Sequence, residues 1–284
     1  MRKPEPPSSA MPVRPAADYD FTPSSAVETQ SMDSNIRELT GDRVSIDYRR
    51  SHCAPGYGEC YNKTYESGYY GALWAKIEIG LLSGVLYPMA GTGRKCLDFA
   101  CGTGRITNLA AEIFPEVVGV DVSETMLACA QPSRNVRLLH VDITTRPLDE
   151  TFDVITAFRF FLNAEERLKR EALSAIYNQL NQGGRLVCNI HMNATSPVGI
   201  AYRLLNQVLG RTVRNTMSAR RFKQILLSSN FVVERIIPYG YLPRPGYLAP
   251  RLCEKLILPV EKAAMAIGIP GRLAQHFLVV ARKR

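Results

Sequence analysis

Between residues 95 and 190, short β-branched and apolar runs alternate with helical stretches, and few architectures accommodate that order. Residues 95–100, 116–120, 136–141, 152–157 and 185–190 read as strands. Residues 105–113, 124–130 and 165–180 read as helices, the second opened by the N-cap candidate Ser123 and the third stopped by Gly183 and Gly184. Such alternation predicts a parallel sheet with helices on both faces. A helical insertion at about 193–217, a helix at 219–228 and a strand at 231–238 follow. A Pro- and Gly-rich excursion fills 239–275, and a last strand spans 277–281.

The first 35 residues are Pro-, Ser- and Ala-rich with few large apolar residues, so they are expected to be disordered. Residues 36–90 form the expected N-terminal helical cap, where Tyr69, Leu73, Ile77 and Leu81 recur every four residues with Tyr70, Trp74 and Leu82 alongside. Residues 91–284 are the expected main domain. No apolar run approaches a membrane span, and the start of the chain carries no apolar signal region. Seven cysteines without a Cys-x-x-Cys pair argue against a disulfide framework or a structural metal site. A cytoplasmic setting is expected, with peripheral membrane contact left open. The charge is lopsided: residues 200–284 hold 15 Lys/Arg against 3 Asp/Glu, whereas 1–199 hold 20 against 23. That basic third would attract phosphates, anionic lipid or nucleic acid, or would only solubilise the surface.

The stretch from Cys96 to Thr107 joins a buried strand to a helix through Gly102 and Gly104. Bare Cα positions let a ligand approach the backbone, and the N–H groups of the turn suit a carboxylate. A nicotinamide-binding turn would carry a third glycine where Thr107 stands. An acid, Asp98, precedes the turn instead. Asp121 follows the second strand, placed to accept from two ribose hydroxyls, and Asp142 follows the third, placed to accept from an adenine amino group.

This ordered set resembles the class I S-adenosylmethionine-dependent methyltransferases. Residues 97–104 are similar to that family's glycine motif, 120–126 to its ribose motif, 141–143 to its adenine segment and 180–187 to the turn before its fifth strand. The resemblance implies a Rossmann-like, seven-stranded α/β sheet whose last strand is antiparallel, with an N-terminal helical cap and C-terminal lid insertions. It implies S-adenosylmethionine as cofactor. Asp98, Ala100, Cys101, Gly102 and Gly104 would hold the methionine part, Asp121 the ribose, and Val122, Met126, Asp142 and Ile143 the adenine, with Phe158 bordering the site. Tyr57, Tyr61, Tyr65, Tyr69 and Tyr70 would close the cofactor or pack the cap. The layout is similar to methyltransferases of bacterial secondary-metabolite, lipid and glycan pathways.

Methyl transfer needs alignment and exclusion of water more than acid–base chemistry, although an oxygen nucleophile of high pKa also needs a base. His191, at the end of the fifth strand, is the candidate. Arg159, Asn163 and Tyr241 are the candidate acceptor-binding residues. Arg159 would orient an anionic acceptor or pair with Glu165 or Glu166. The segment 158–163 lacks the Asn/Asp-Pro-Pro-aromatic pattern of nucleobase amino methyltransferases, which argues against nucleic acid as the acceptor. The expected acceptor is a small molecule, hydrophobic, glycosylated, anionic or lipid-linked, and the oligomeric state is unspecified. Leu252, Leu256, Val260, Ala264 and Ile267 share one expected helix face, kinked at Pro259, that would lid the pocket or lie on a membrane. An RNA methyltransferase using the basic third and a membrane-associated binding protein without catalysis are the competing readings.

Overall fold

A computed structural model describes residues 48–209, 216–243 and 250–284. The expected tail at 1–35, the first part of the cap and part of the 239–275 excursion lie outside the described residues.

Seven strands form one sheet: β1 (Lys95–Phe99), β2 (Glu116–Asp121), β3 (Val136–His140), β4 (Phe152–Ala157), β5 (Leu180–Ile190), β6 (Phe231–Tyr239) and β7 (His276–Lys283). Their order is β3-β2-β1-β4-β5-β7-β6. β1 through β5 pair in parallel, and β7 runs antiparallel between β5 and β6. The chain leaves β1 toward β2 on one side and returns to β4 on the other. The carboxyl ends of β1 and β4 therefore flank the switch point, where ligands bind in open α/β sheets.

Alternation along β1 sends Leu97 and Phe99 into one core layer and Cys96 into the other. The first layer is covered by α6 (Glu166–Gln179), through Leu168, Leu173 and Ile176, and by α8 (Ala219–Ser228), through Phe222 and Leu226. The second is covered by α4 (Arg105–Ala111) and by a long helix assembled from α2 (Gly68–Leu73), a π-helical turn (Trp74–Glu78) and α3 (Ile79–Leu86). The expected cap helix thus lies against the sheet. Its buried face runs Tyr69, Leu73, Ile77 and then Leu82 rather than Leu81. The π turn takes up one extra residue, so the four-residue spacing read from the sequence slips to five there.

Gly183 and Gly184 do not simply end α6. β5 already begins at Leu180, and its register with β4 shifts between Phe152 and Val154, so the glycines form an irregular entry to the strand. Both insertions contain helices, α7 (Pro197–Val208) and α9 (Pro250–Ala266). α9 packs on α2 through Cys253, Ile257, Glu261 and Ala264. The expected face is therefore turned by about one residue: Leu252 and Leu256 are exposed. Glu261 takes the inner position because it accepts the backbone N–H groups of Gly240 and Tyr241 at 3.0 Å each.

Candidate functional site

A cavity of about 320 Å³ opens at the carboxyl ends of β1 to β4. Asp98, Ala100, Cys101, Gly102, Asp121, Val122, Met126, Asp142, Ile143 and Phe158 all line it, as do Arg159, Asn163 and His191. Gly104 stands just behind, at the N-cap of α4 with φ 82°. Tyr241 is not among the lining residues; its hydroxyl donates to the Ile269 carbonyl at 3.3 Å. Tyr57, Tyr61, Tyr65 and Tyr70 reach the cavity, whereas Tyr69 is buried in the core with its hydroxyl 3.2 Å from His276 Nε2. Neither α7 nor α9 contributes a described lining residue to this cavity.

The floor is built around Asp98. Its Oδ2 accepts from Thr107 Oγ1 of α4 at 2.6 Å and its Oδ1 from Thr156 Oγ1 of β4 at 2.7 Å. The carboxylate ties strand, neighbouring strand and helix together beneath the turn. Gly102 adopts φ 57°, and a Cβ there would stand 2.9 Å from Met126 Cε. The positive φ favours glycine there, while the Met126 methyl could move aside for a Cβ. Burial pushes the pKa of Asp98 up to about 6, against the pull of Thr107, Thr156 and Arg105. Between roughly pH 4 and 6 the folded chain consequently binds more protons than the unfolded one, and stability falls as pH rises through that window. The whole change is about 3 kcal/mol. Urea unfolding of Asp98→Asn at pH 4 and pH 7 should show that slope flattened, and an unaltered slope would assign the pH dependence to other groups.

Asp121 holds the other side of the turn. Its Oδ2 accepts from Gly102 N at 2.7 Å and its Oδ1 from Ser123 N at 2.8 Å. The backbone N–H of Val122 also acts on this carboxylate, so of its roughly four acceptor positions about one remains open. Burial raises the pKa of Asp121, opposed by these backbone donors. Asp142 is more heavily used. Its Oδ1 accepts from Thr144 N (2.9 Å) and Oγ1 (2.6 Å), and its Oδ2 from Arg49 Nε (2.7 Å). Arg49 also reaches Glu171 of α6 at 2.8 Å, which fastens the first described turn of the cap segment at this end of the cavity.

The opposite end is strongly charged. Glu78, the last residue of the π turn, is 4% exposed and accepts from Tyr239 Oη at 2.9 Å. Its carboxylate lies 3.7 Å from Arg105 Nη1 and 4.0 Å from Arg159 Nη2. Arg159 therefore faces the cap, not Glu165 or Glu166. Both guanidinium groups also stack, Arg105 over Tyr65 and Trp74 at 4.0 and 4.3 Å, Arg159 over Tyr70 and Tyr65 at 4.8 and 5.2 Å. Two tyrosine faces expected to meet a cationic ligand are thus given to arginines. Arg105 Nε and Nη1 and Arg159 Nε and Nη2 are buried without a hydrogen-bond partner among the described residues.

Arg159 is held in the left-handed region at φ 57°. Asn189 Oδ1 accepts its N–H at 2.8 Å, while Asn163 Nδ2 and Tyr48 Oη donate to its carbonyl at 3.0 and 3.3 Å. A non-glycine residue keeps such a conformation only where its surroundings over-determine it. Asn163 thereby positions Arg159. His191 stands at the carboxyl end of β5, half-buried in the cavity wall. Arg49, Arg105, Glu78 and Tyr48 escaped the sequence reading. The one available signal was that Arg105 directly follows the glycine turn.

A family model described as a methyltransferase domain matches residues 96–184. The cypemycin N-terminal methyltransferase of a Streptomyces species is 33% identical over 171 residues, 52% of this chain and 68% of that protein. The chain belongs to the class I S-adenosylmethionine-dependent methyltransferases. A methyltransferase of Geobacillus sp. strain WCH70 is 36% identical over 106 residues, which is 34% of this chain and 42% of that protein, less than half its length. A TehB-like S-adenosylmethionine-dependent methyltransferase structure from Corynebacterium glutamicum shares the fold, with a TM-score of 0.51 at 18% identity over 81% of this chain and all of that one. The cofactor of the family is S-adenosylmethionine, and a cavity of this size, with bare glycine backbone beside the carboxylates of Asp121 and Asp142, fits it.

Proposed function

We propose that the chain transfers a methyl group from S-adenosylmethionine to an oxygen of a small hydrophobic, glycosylated or lipid-linked acceptor. The observation that carries this reading is the Asp121 carboxylate on the cavity wall, which fastens the glycine turn and keeps acceptor capacity beyond its backbone donors. A ribose hydroxyl matches that capacity. Val122, Met126 and Ile143 supply apolar walls for the adenine, and the open position on Asp142 Oδ2 suits its amino group. The turn from Ala100 to Gly104, above Asp98, meets the amino-acid tail, and the unpartnered N–H groups of Arg105 suit its carboxylate.

When bound, the cofactor supplies an electrophilic methyl carbon. The chain's own task is alignment, exclusion of water and removal of one proton. Arg159, whose Nε and Nη2 make no hydrogen bond among the described residues, orients an anionic group of the acceptor. His191 takes the proton from the acceptor hydroxyl. Phe158 and Phe160 shield the space between.

Adenosylhomocysteine release, measured against a panel of hydroxylated aromatic, glycosylated and lipid-linked compounds, tests the reading. On the acceptor so found, His191→Ala should lower kcat by about 100-fold or more, the usual worth of a positioned base. Cofactor affinity by calorimetry should stay within about twofold. A variant with full turnover would remove His191 from this role, and a chain that ignores S-adenosylmethionine would remove the reading altogether.

A further inference from the structure

α7 is mounted with its apolar side outward. Of its twelve residues only Gly199 and Asn206 are buried. At 100° per residue these two share one side, and Ile200, Ala201, Leu204, Leu205 and Val208 spread over the other. Leu204 and Leu205 are each 58% exposed and Val208 83%. Gly199 fixes this mounting. A Cβ there would collide with the Asn193 carbonyl, so the helix rests with its backbone against that turn.

The second insertion adjoins it. Thr195 Oγ1 and Asn193 Nδ2 donate to the Arg272 carbonyl at 2.8 and 3.1 Å, tying the start of α7 to the turn after α9. That turn and the end of α9 carry exposed Met265, Ile267 and Leu273. Within 197–209 and 250–273 the five cations, Arg203, Arg251, Lys255, Lys262 and Arg272, are all exposed. Both acids turn inward: Glu254 accepts from Gly68 N and Glu261 from Gly240 N and Tyr241 N.

We propose that this surface docks on an anionic lipid bilayer, lying in the headgroup layer. Exposed apolar side chains in two adjoining segments whose only exposed charges are cations suit such an interface. A second copy would set five cations against five, which disfavours self-association. A nucleic acid would use the cations and leave the apolar arc of α7 without a counterpart. No helix among the described residues is long and apolar enough to cross a membrane, so the contact is peripheral. The inference does not depend on the identity of the acceptor.

The full chain is sedimented with vesicles of phosphatidylcholine alone and of phosphatidylcholine with about one third phosphatidylglycerol. The anionic vesicles should bind at least about tenfold more tightly, since each cation near the surface is worth roughly fivefold. Leu204→Asp with Val208→Asp, and separately Lys255→Glu with Lys262→Glu, should each cost tenfold or more. Both leave the cavity untouched, and unchanged circular dichroism and cofactor binding confirm folding. Absence of vesicle binding, binding that ignores both double variants, or a dimer in light scattering that the Leu204/Val208 variant dissolves, would each overturn the proposal. So would RNA binding that the Lys255/Lys262 variant abolishes while vesicle binding persists.

Discussion

Asp121→Ala should reduce S-adenosylmethionine affinity by at least about 100-fold in calorimetry, a larger effect than any other single change in the cavity. A hydrogen bond to a charged group contributes about 1.5–3 kcal/mol, and the variant forfeits the carboxylate that lines the cavity together with its charge. It also releases Gly102 N and Ser123 N, held now at 2.7 and 2.8 Å. The two losses separate experimentally. Slackening of the turn lowers the stability of the ligand-free chain, whereas loss of the ribose contact appears only in binding. Asp121→Asn keeps the size of the side chain and removes its charge, so its affinity should fall between the two. Wild-type affinity in the alanine variant would place the nucleoside somewhere else.

Glu78→Ala carries the second large effect. Glu78 is the nearest carboxylate to two guanidinium groups, themselves only 14% and 13% exposed. Removing one partner of a buried ionic group costs about 3–5 kcal/mol, because the charges left behind lose both water and counter-ion. Urea unfolding should show a loss of that size without a change in slope. Combining Glu78→Ala with Arg105→Met should recover part of it, since the residual charge then falls to one guanidinium. A loss under 1 kcal/mol in the single variant would mean that water already screens the cluster. Tyr239→Phe, which removes the donor to Glu78 and the acceptor of Asn189 Nδ2 but no charge, should cost about 2 kcal/mol.

The sheet was legible because its signals are local. β-branched runs, the glycine turn and the acids after β2 and β3 sit within a few residues of the structure they specify, and α8 falls where its periodicity puts it. Of the charged end of the cavity only Arg159 was legible. Glu78, Arg105, Arg159, Asn189 and Tyr239 come from separate elements, and Glu78 alone looks like any acid on a helix. Periodicity also gives the axis of an amphipathic helix without saying which side faces the core. For α7 that sign is set by Gly199, where only a bare backbone fits against Asn193. For α9 it is set by Glu261, which two backbone N–H groups draw inward at the expense of Leu252 and Leu256. The slip from Leu81 to Leu82 has a similar origin, since no residue type announces a π turn.

The tethers on Arg159 divide the molecule's labour. Its N–H is gripped by Asn189, which donates in turn to Tyr239 at 3.2 Å, and Tyr239 reaches Glu78. All three of those helpers fall outside 96–184, the stretch that the family model covers. A fragment trimmed to that stretch would retain the loop for the methyl donor and lose the brace behind its arginine. On the proposed role of Arg159, choice of what receives the methyl group would rest on residues outside that stretch, and exchanging a few of them would alter the acceptor while leaving the glycine turn as it is.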